Sequence, residues 1–159
     1  MFIRSVGIRV HTKKVWIAYI VKEDKIEVNS DNLIVPKALL LPDTLRFIRT
    51  SLQDIIEEFD ASRVGVKVAD HNSYGNTEGD IFRLNVEGVI QELLASSNIT
   101  GYIAGAKPEL ASRLGTDSTH LKEVIKRGNL LEVAPAVSKQ PNKYKRAAAA
   151  AGVASLFID

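Results

Sequence analysis

From Ile3 to Val10 the chain alternates: Val6, Ile8 and Val10 fall on one side, Gly7 and Arg9 on the other. That period of two predicts a strand. His11-Thr12-Lys13 reads as a turn. Val15-Trp16-Ile17-Ala18-Tyr19-Ile20-Val21 follows, apolar on both faces, and predicts a strand near the sheet centre, covered by helices. After a second turn at Lys22–Lys25, Ile26–Val35 supplies a third, more irregular strand. Three strands joined by tight turns predict an antiparallel meander.

The period then changes. Leu45, Ile48, Leu52, Ile55, Ile56 and Phe59 recur at helical spacing after Pro36 and Pro42, with Asp43 placed to cap the helix. Arg63–Ala69 is a short β-rich run, followed by a polar loop over Asp70–Gly79. A second helix is expected from about Asp80 to Ser96, burying Phe82, Val86, Val89, Ile90, Leu93 and Leu94, and Ile99–Ala104 reads as another strand. Pro108 and Gly115 frame a short helix, and Thr116–Arg127 gives another, ended by Gly128. Leu130–Ala134 is too short to classify. Asn142–Phe157 is helical, and its Ala147–Ala151 run with Gly152 predicts a small-residue face packed closely on the sheet.

The order β-β-β-α-β-α-β, then helices, predicts an α/β fold: a mixed five-stranded sheet with helices on both faces. The early turns favour antiparallel pairing and the helical crossovers parallel pairing. No repeat or long linker divides residues 1–159, so a single domain is expected. A composition of 45% hydrophobic and 25% charged residues excludes a disordered tail, a collagen-like repeat or a coiled coil. Cysteine is absent, which excludes a disulfide framework and a thiol nucleophile and points to a cytoplasmic home. No apolar run reaches the roughly 18 residues of a membrane span. The start, Met1-Phe2-Ile3-Arg4, carries no signal-peptide pattern.

Charge is nearly balanced overall, 21 basic against 19 acidic residues, but not along the chain. Residues 1–100 carry a net −2 and residues 101–159 a net +4. Lys139, Lys143, Lys145 and Arg146 form the densest basic stretch, while Asp70, Glu78 and Asp80 are acids with no basic residue beside them. There is no phosphate-binding GxxxxGK[ST] or GxGxxG loop and no GxSxG elbow, and no cofactor is expected. His11, Asp70, His71, Glu78 and Asp80 fall in loops or element ends and could form a displaced metal site, although no HxH, HExxH or DxD spacing supports one. Trp16 reads as core or interface rather than a base-stacking platform, Tyr74 as an exposed ring able to stack, and His120 as a surface residue.

Taken together, Ser5-Val6-Gly7-Ile8-Arg9-Val10, Val64-Gly65-Val66-Lys67-Val68, the Gly79–Leu93 helix, the Lys107–Gly115 and Ser118–Arg127 helices and the Ala-rich last helix resemble the ribonuclease H-like superfamily. Within it the chain looks most like the branch of RuvC-type Holliday-junction resolvases. The resemblance implies carboxylates at three places, holding two divalent metals about 4 Å apart that activate water and stabilise the leaving oxygen. The first such place follows an apolar-Gly-apolar triplet, where Arg9 stands here. The second ends the fourth strand, at Lys67 or Val68. The last opens the final helix, which reads Lys143-Tyr144-Lys145-Arg146. The inherited metal centre is therefore expected to be missing. Arg9, Lys67, Lys143, Lys145 and Arg146 are expected to form an anion site for DNA or RNA instead. The alternatives are local ion pairing of Arg9 and Lys67 with acids such as Asp70, a structural or regulatory subunit binding a protein partner or its own twin, and a metal-dependent nuclease with a displaced site.

Overall fold

The computed structural model describes residues 2–12, 14–70 and 77–158. The chain opens with β1 (Ile3–His11), β2 (Lys14–Lys22) and β3 (Ile26–Ile34), joined as an antiparallel meander. Helix α1 (Leu41–Glu58) leads to β4 (Arg63–Lys67), which pairs parallel with β1. Helix α2 (Glu78–Ser96) leads to β5 (Gly101–Gly105), parallel to β4. Helices α3 (Lys107–Arg113), α4 (Ser118–Arg127), α5 (Pro135–Ser138) and α6 (Lys143–Ala154) follow, with a 3-10 turn at Ser155–Phe157. The spatial order is β3-β2-β1-β4-β5. This is the mixed five-stranded sheet that the periodicities predict, with β1 at its centre.

The strand period of two sorts the sheet into two cores. On one face Val6, Ile8 and Val10 of β1 and Val64 and Val66 of β4 meet Ile48, Leu52 and Ile56 of α1 and Val86, Ile90, Leu93 and Leu94 of α2. Full burial of each such side chain contributes about 1.5–3 kcal/mol. On the other face Trp16, Ala18 and Ile20 of β2 meet the Ala-rich α6, with Leu110 of α3 and Leu121 and Val124 of α4 in the same core.

Helix α6 sits unusually low on the sheet because glycines floor it. A Cβ at Gly7 would run into the Ala148 carbonyl, and one at Gly65 into that of Ala151. Gly152 returns the contact, its Cβ position lying 3.0 Å from the Gly7 nitrogen. Ser5, on the same face of β1, donates to the Gly152 carbonyl at 2.9 Å and lies 2.6 Å from the Ser155 hydroxyl, fixing the far end of α6.

Some local expectations are corrected. Asp43 does not cap α1: the cap position is Leu40, without a side-chain bond, and Asp43 lies in the first turn, bound to Arg46 at 3.0 Å. Pro42 displaces the helix start N-terminally by supplying a fixed φ at the first turn. Helix α2 begins two residues early, since Thr77 caps it by accepting from the Asp80 N–H at 3.2 Å. Strand β5 starts at Gly101, and the unclassified stretch after Gly128 leads into the short α5. Gly128 itself ends α4 in the left-handed conformation, φ 75°. Among the described residues no helix is long and apolar enough to cross a membrane.

Candidate functional site

The parallel β1–β4 ladder places Arg9 directly opposite Lys67, two residues beyond the Gly7–Gly65 pair. By the strand period, both rise from the face that α6 covers. That helix begins at Lys143, so its first turn stands over the ends of β1 and β2: Tyr144 stacks on His11 and on Trp16. The carboxyl ends of parallel strands are where open α/β sheets leave a crevice for ligands.

Lys67 is 4% exposed. Its Nζ donates to the Val68 carbonyl at 2.5 Å and lies 3.6 Å from Asp70 Oδ2. Burial pushes its ammonium down to about 8, against the pull of Asp70 and with further push from Arg9, Lys107 and Arg83. Arg9 is lowered to about 10, first by burial and then by Arg83, and remains a cation at neutral pH. Its guanidinium donates to the Val10 carbonyl and lies 5.7 Å from the Tyr144 ring centroid.

Two carboxylates oppose these cations, and both are engaged. Asp70 accepts from Lys107 Nζ at 2.5 Å and from the Lys107 N–H at 3.1 Å. Burial alone would raise its carboxyl, but the Lys107 hydrogen bonds and the Lys67 charge outweigh that and hold it at about 2. The expectation that Asp70 has no basic neighbour is therefore wrong: Lys67 pairs with it locally, as the alternative reading has it, and the β4–β5 register brings Lys107 to it. Glu87, 3% exposed, accepts from the Ala69 N–H at 3.2 Å and from Arg83 Nε at 2.7 Å. The Arg83 terminal nitrogen Nη2 is buried with no partner among the described residues.

The basic group at the start of α6 divides. Lys143 is exposed, its Nζ 5.2 Å from the Tyr144 ring, and its charge reaches His11. The Lys145 backbone N–H is taken by the Asn142 cap at 2.9 Å. Arg146 turns away: its guanidinium donates to the carbonyls of Ile125 (2.7 Å), Gln140 (2.9 Å) and Lys126 (3.1 Å). It ties α6 to the end of α4 and corrects the expectation that places it with Arg9 and Lys67.

Arg83, Glu87 and Lys107 were not singled out from sequence. The available signal was Glu87, an acid on the apolar stripe of α2 between Val86 and Ile90. The displaced metal site does not assemble among the described residues, which hold no group of three His, Asp or Glu able to share an ion. Glu78 and Asp80 serve the first turn of α2, with Asp80 accepting from the Thr77 hydroxyl at 2.6 Å. His71 and Tyr74 lie outside the described residues. His120 is half-buried, its Nε2 2.8 Å from the Leu130 carbonyl oxygen, and Trp16 is core at 9% exposed.

No family profile and no curated protein sequence matches the chain. Solved structures do. RuvC of Thermus thermophilus superposes with a TM-score of 0.70 at 16% identity, over 99% of this chain and 94% of that one. The T. thermophilus RuvC in complex with Holliday junction substrate gives 0.70 at 12% identity with the same coverage. The yeast mitochondrial Holliday junction resolvase Ydc2 gives 0.55 at 13% identity, over 97% of this chain and 78% of that one. At such identities the likeness concerns architecture, and it is consistent along nearly the whole chain: this protein has the ribonuclease H-like fold in its RuvC-type form.

Proposed function

We propose that this chain binds nucleic acid by phosphate contacts at the Arg9–Lys67 edge of the sheet and does not cleave it by a two-metal route. The observation that carries this is the cross-strand pairing of Arg9 with Lys67 on the α6 face. Arg83, Lys107 and Lys143 add positive charge to the same edge, and among the described residues Asp70 and Glu87 are the carboxylates that act on Arg9 and Lys67. Cations held together at low dielectric raise one another's energy, and a phosphate placed among them relieves it. Arg9 offers a planar fork and Lys67 a point charge for such an oxyanion.

The residues present do not fit the pair of divalent metals that the resemblance implies. Hard cations need several oxygen ligands. The β1 and β4 positions carry Arg9 and Lys67, the first turn of α6 carries no acid, and Asp70 and Glu87 already neutralise Lys107 and Arg83. No step through a metal is therefore assigned to this edge. That T. thermophilus RuvC has been solved with a Holliday junction substrate supports nucleic acid as the ligand class.

The test is a titration with branched, single-stranded and duplex DNA and RNA at low and moderate salt, in Mg²⁺ or Mn²⁺. Binding that weakens steeply with salt, without cleavage, is the expected result. Cleavage abolished by EDTA would overturn the non-catalytic part of the reading. A protein-interaction role is the second reading, favoured by an apolar groove lined by Val35, Pro36, Leu39, Leu41, Ile81 and Phe82. Tight self-association without any nucleic-acid binding would move the assignment there.

A further inference from the structure

The α6 face carries rings as well as cations at this edge. His11 and Tyr144 stack with centroids 4.4 Å apart and planes at 26°, and Tyr144 stacks on Trp16 at 5.5 Å and 11°. The stack runs from the core outward: Trp16 is buried, whereas Tyr144 and His11 are half-buried. Cations surround it. The Arg9 guanidinium carbon is 5.7 Å and Lys143 Nζ 5.2 Å from the Tyr144 centroid, and Lys14 Nζ is 5.5 Å from that of Trp16. His11 extends the rings past the core to the mouth of the basic edge, one strand period beyond Arg9. Burial, with Arg9, Arg83 and Lys143 nearby, favours its neutral form.

A ring row flanked by cations is the arrangement with which proteins hold single strands: the cations follow the phosphates and the ring faces take bases. We infer that His11, backed by Tyr144 and Trp16, is a stacking platform for an unpaired nucleobase whose phosphates lie on Arg9 and Lys143, so that the ligand is a single-stranded or locally unpaired nucleic acid. This rests on the phosphate-binding reading and adds the base to it. A continuous duplex keeps its bases stacked on one another and has none to offer the platform.

The test compares four probes of equal length by fluorescence anisotropy at two salt concentrations: oligothymidylate, oligouridylate, a fully abasic deoxyribose-phosphate chain and a DNA duplex. The base-bearing single strands should bind about 5- to 150-fold more tightly than the abasic chain. His11→Ala should bring them down to the abasic level with the salt slope unchanged, and His11→Phe should restore the preference. A stronger response to either sugar supports the platform and names DNA or RNA as its source. Equal binding of base-bearing and abasic chains, a duplex preferred over both, or an unchanged base preference in His11→Ala would each overturn the platform while leaving phosphate binding intact. Binding to none of the probes would overturn both.

Discussion

Arg9 and Lys67 are partners across the parallel β1–β4 ladder, one strand period beyond the glycines on which α6 rests. Gly7 and Gly65 let the helix lie against the sheet backbone. Beside the first turn of the helix the two cations stand side by side, and burial lowers both. Like charges adjacent and partly desolvated cost the fold stability, a pattern typical of ligand sites.

Replacing Arg9 should therefore separate stability from binding. Arg9→Met removes one of the two neighbouring charges and keeps an apolar stem over Tyr144. The free protein should gain on the order of 1 kcal/mol in urea denaturation. Its affinity for nucleic acid should fall, and the slope of log K against log salt should lose about 0.7–0.9, the share of one phosphate contact. A lower denaturation midpoint with an unchanged slope would make Arg9 a structural residue.

Lys67 predicts opposite pH trends for folding and binding. Its folded value, about 8, lies below the 10.5 of a free lysine, so between these values the unfolded chain holds more protons than the folded one. Stability then rises with pH across that window, and the cost of the buried charge is fully present below pH 8. Phosphate binding needs the charge and should weaken as pH rises through 8. Asp70 acts at the other end: held at about 2 against 3.8, its contribution is present above pH 4 and lost as pH falls through 2. Denaturation and binding curves from pH 7 to 10 check the Lys67 trends, and Lys67→Met should flatten both.

The glycines give a paired test of packing. Gly7→Ala and Gly65→Ala each force a methyl into a carbonyl of α6, with backbone on both sides and nothing flexible to yield. Each should cost at least about 3 kcal/mol or prevent folding. Gly88 lies inside α2, exposed, with no atom within 4 Å of the Cβ position. Gly88→Ala should instead stabilise by about 0.5–1 kcal/mol, because glycine weakens a helix interior and alanine strengthens it. Chemical denaturation of the three variants reads both signs.

The sheet, the meander and the helical stripes were legible because burial imposes its period on the chain: Val6, Ile8 and Val10 could face only one way. The Ala147–Ala151 run likewise announced a close approach, but that Gly7 and Gly65 lie beneath it depends on how the helix packs across the sheet, which the run itself does not encode. The pairing of Arg9 with Lys67 is a matter of parallel register, which two short strands far apart in sequence do not encode locally. Lys107 reaches Asp70 by the same long-range alignment, across β4 and β5. Arg146 parts from Lys143 at the start of α6 for a helical reason. Successive residues there point about 100° apart, so neighbours in sequence diverge in space.

Arg146 is where that divergence can be measured. Its guanidinium holds the carbonyls of Ile125 and Lys126 at the end of α4 and that of Gln140 before α6. The last carbonyls of a helix have no partner within it, and a cation there satisfies both their hydrogen-bonding and the helix dipole. Arg146→Ala should cost about 1–3 kcal/mol of stability by stranding these acceptors. Arg146→Lys should recover only part of that, since one ammonium cannot match a fork that spans three carbonyls. Because the side chain is already committed within the protein, neither variant should change the salt slope of nucleic-acid binding, in contrast to Arg9→Met. A slope reduced by about one contact in Arg146→Ala, at unchanged stability, would return Arg146 to the binding edge.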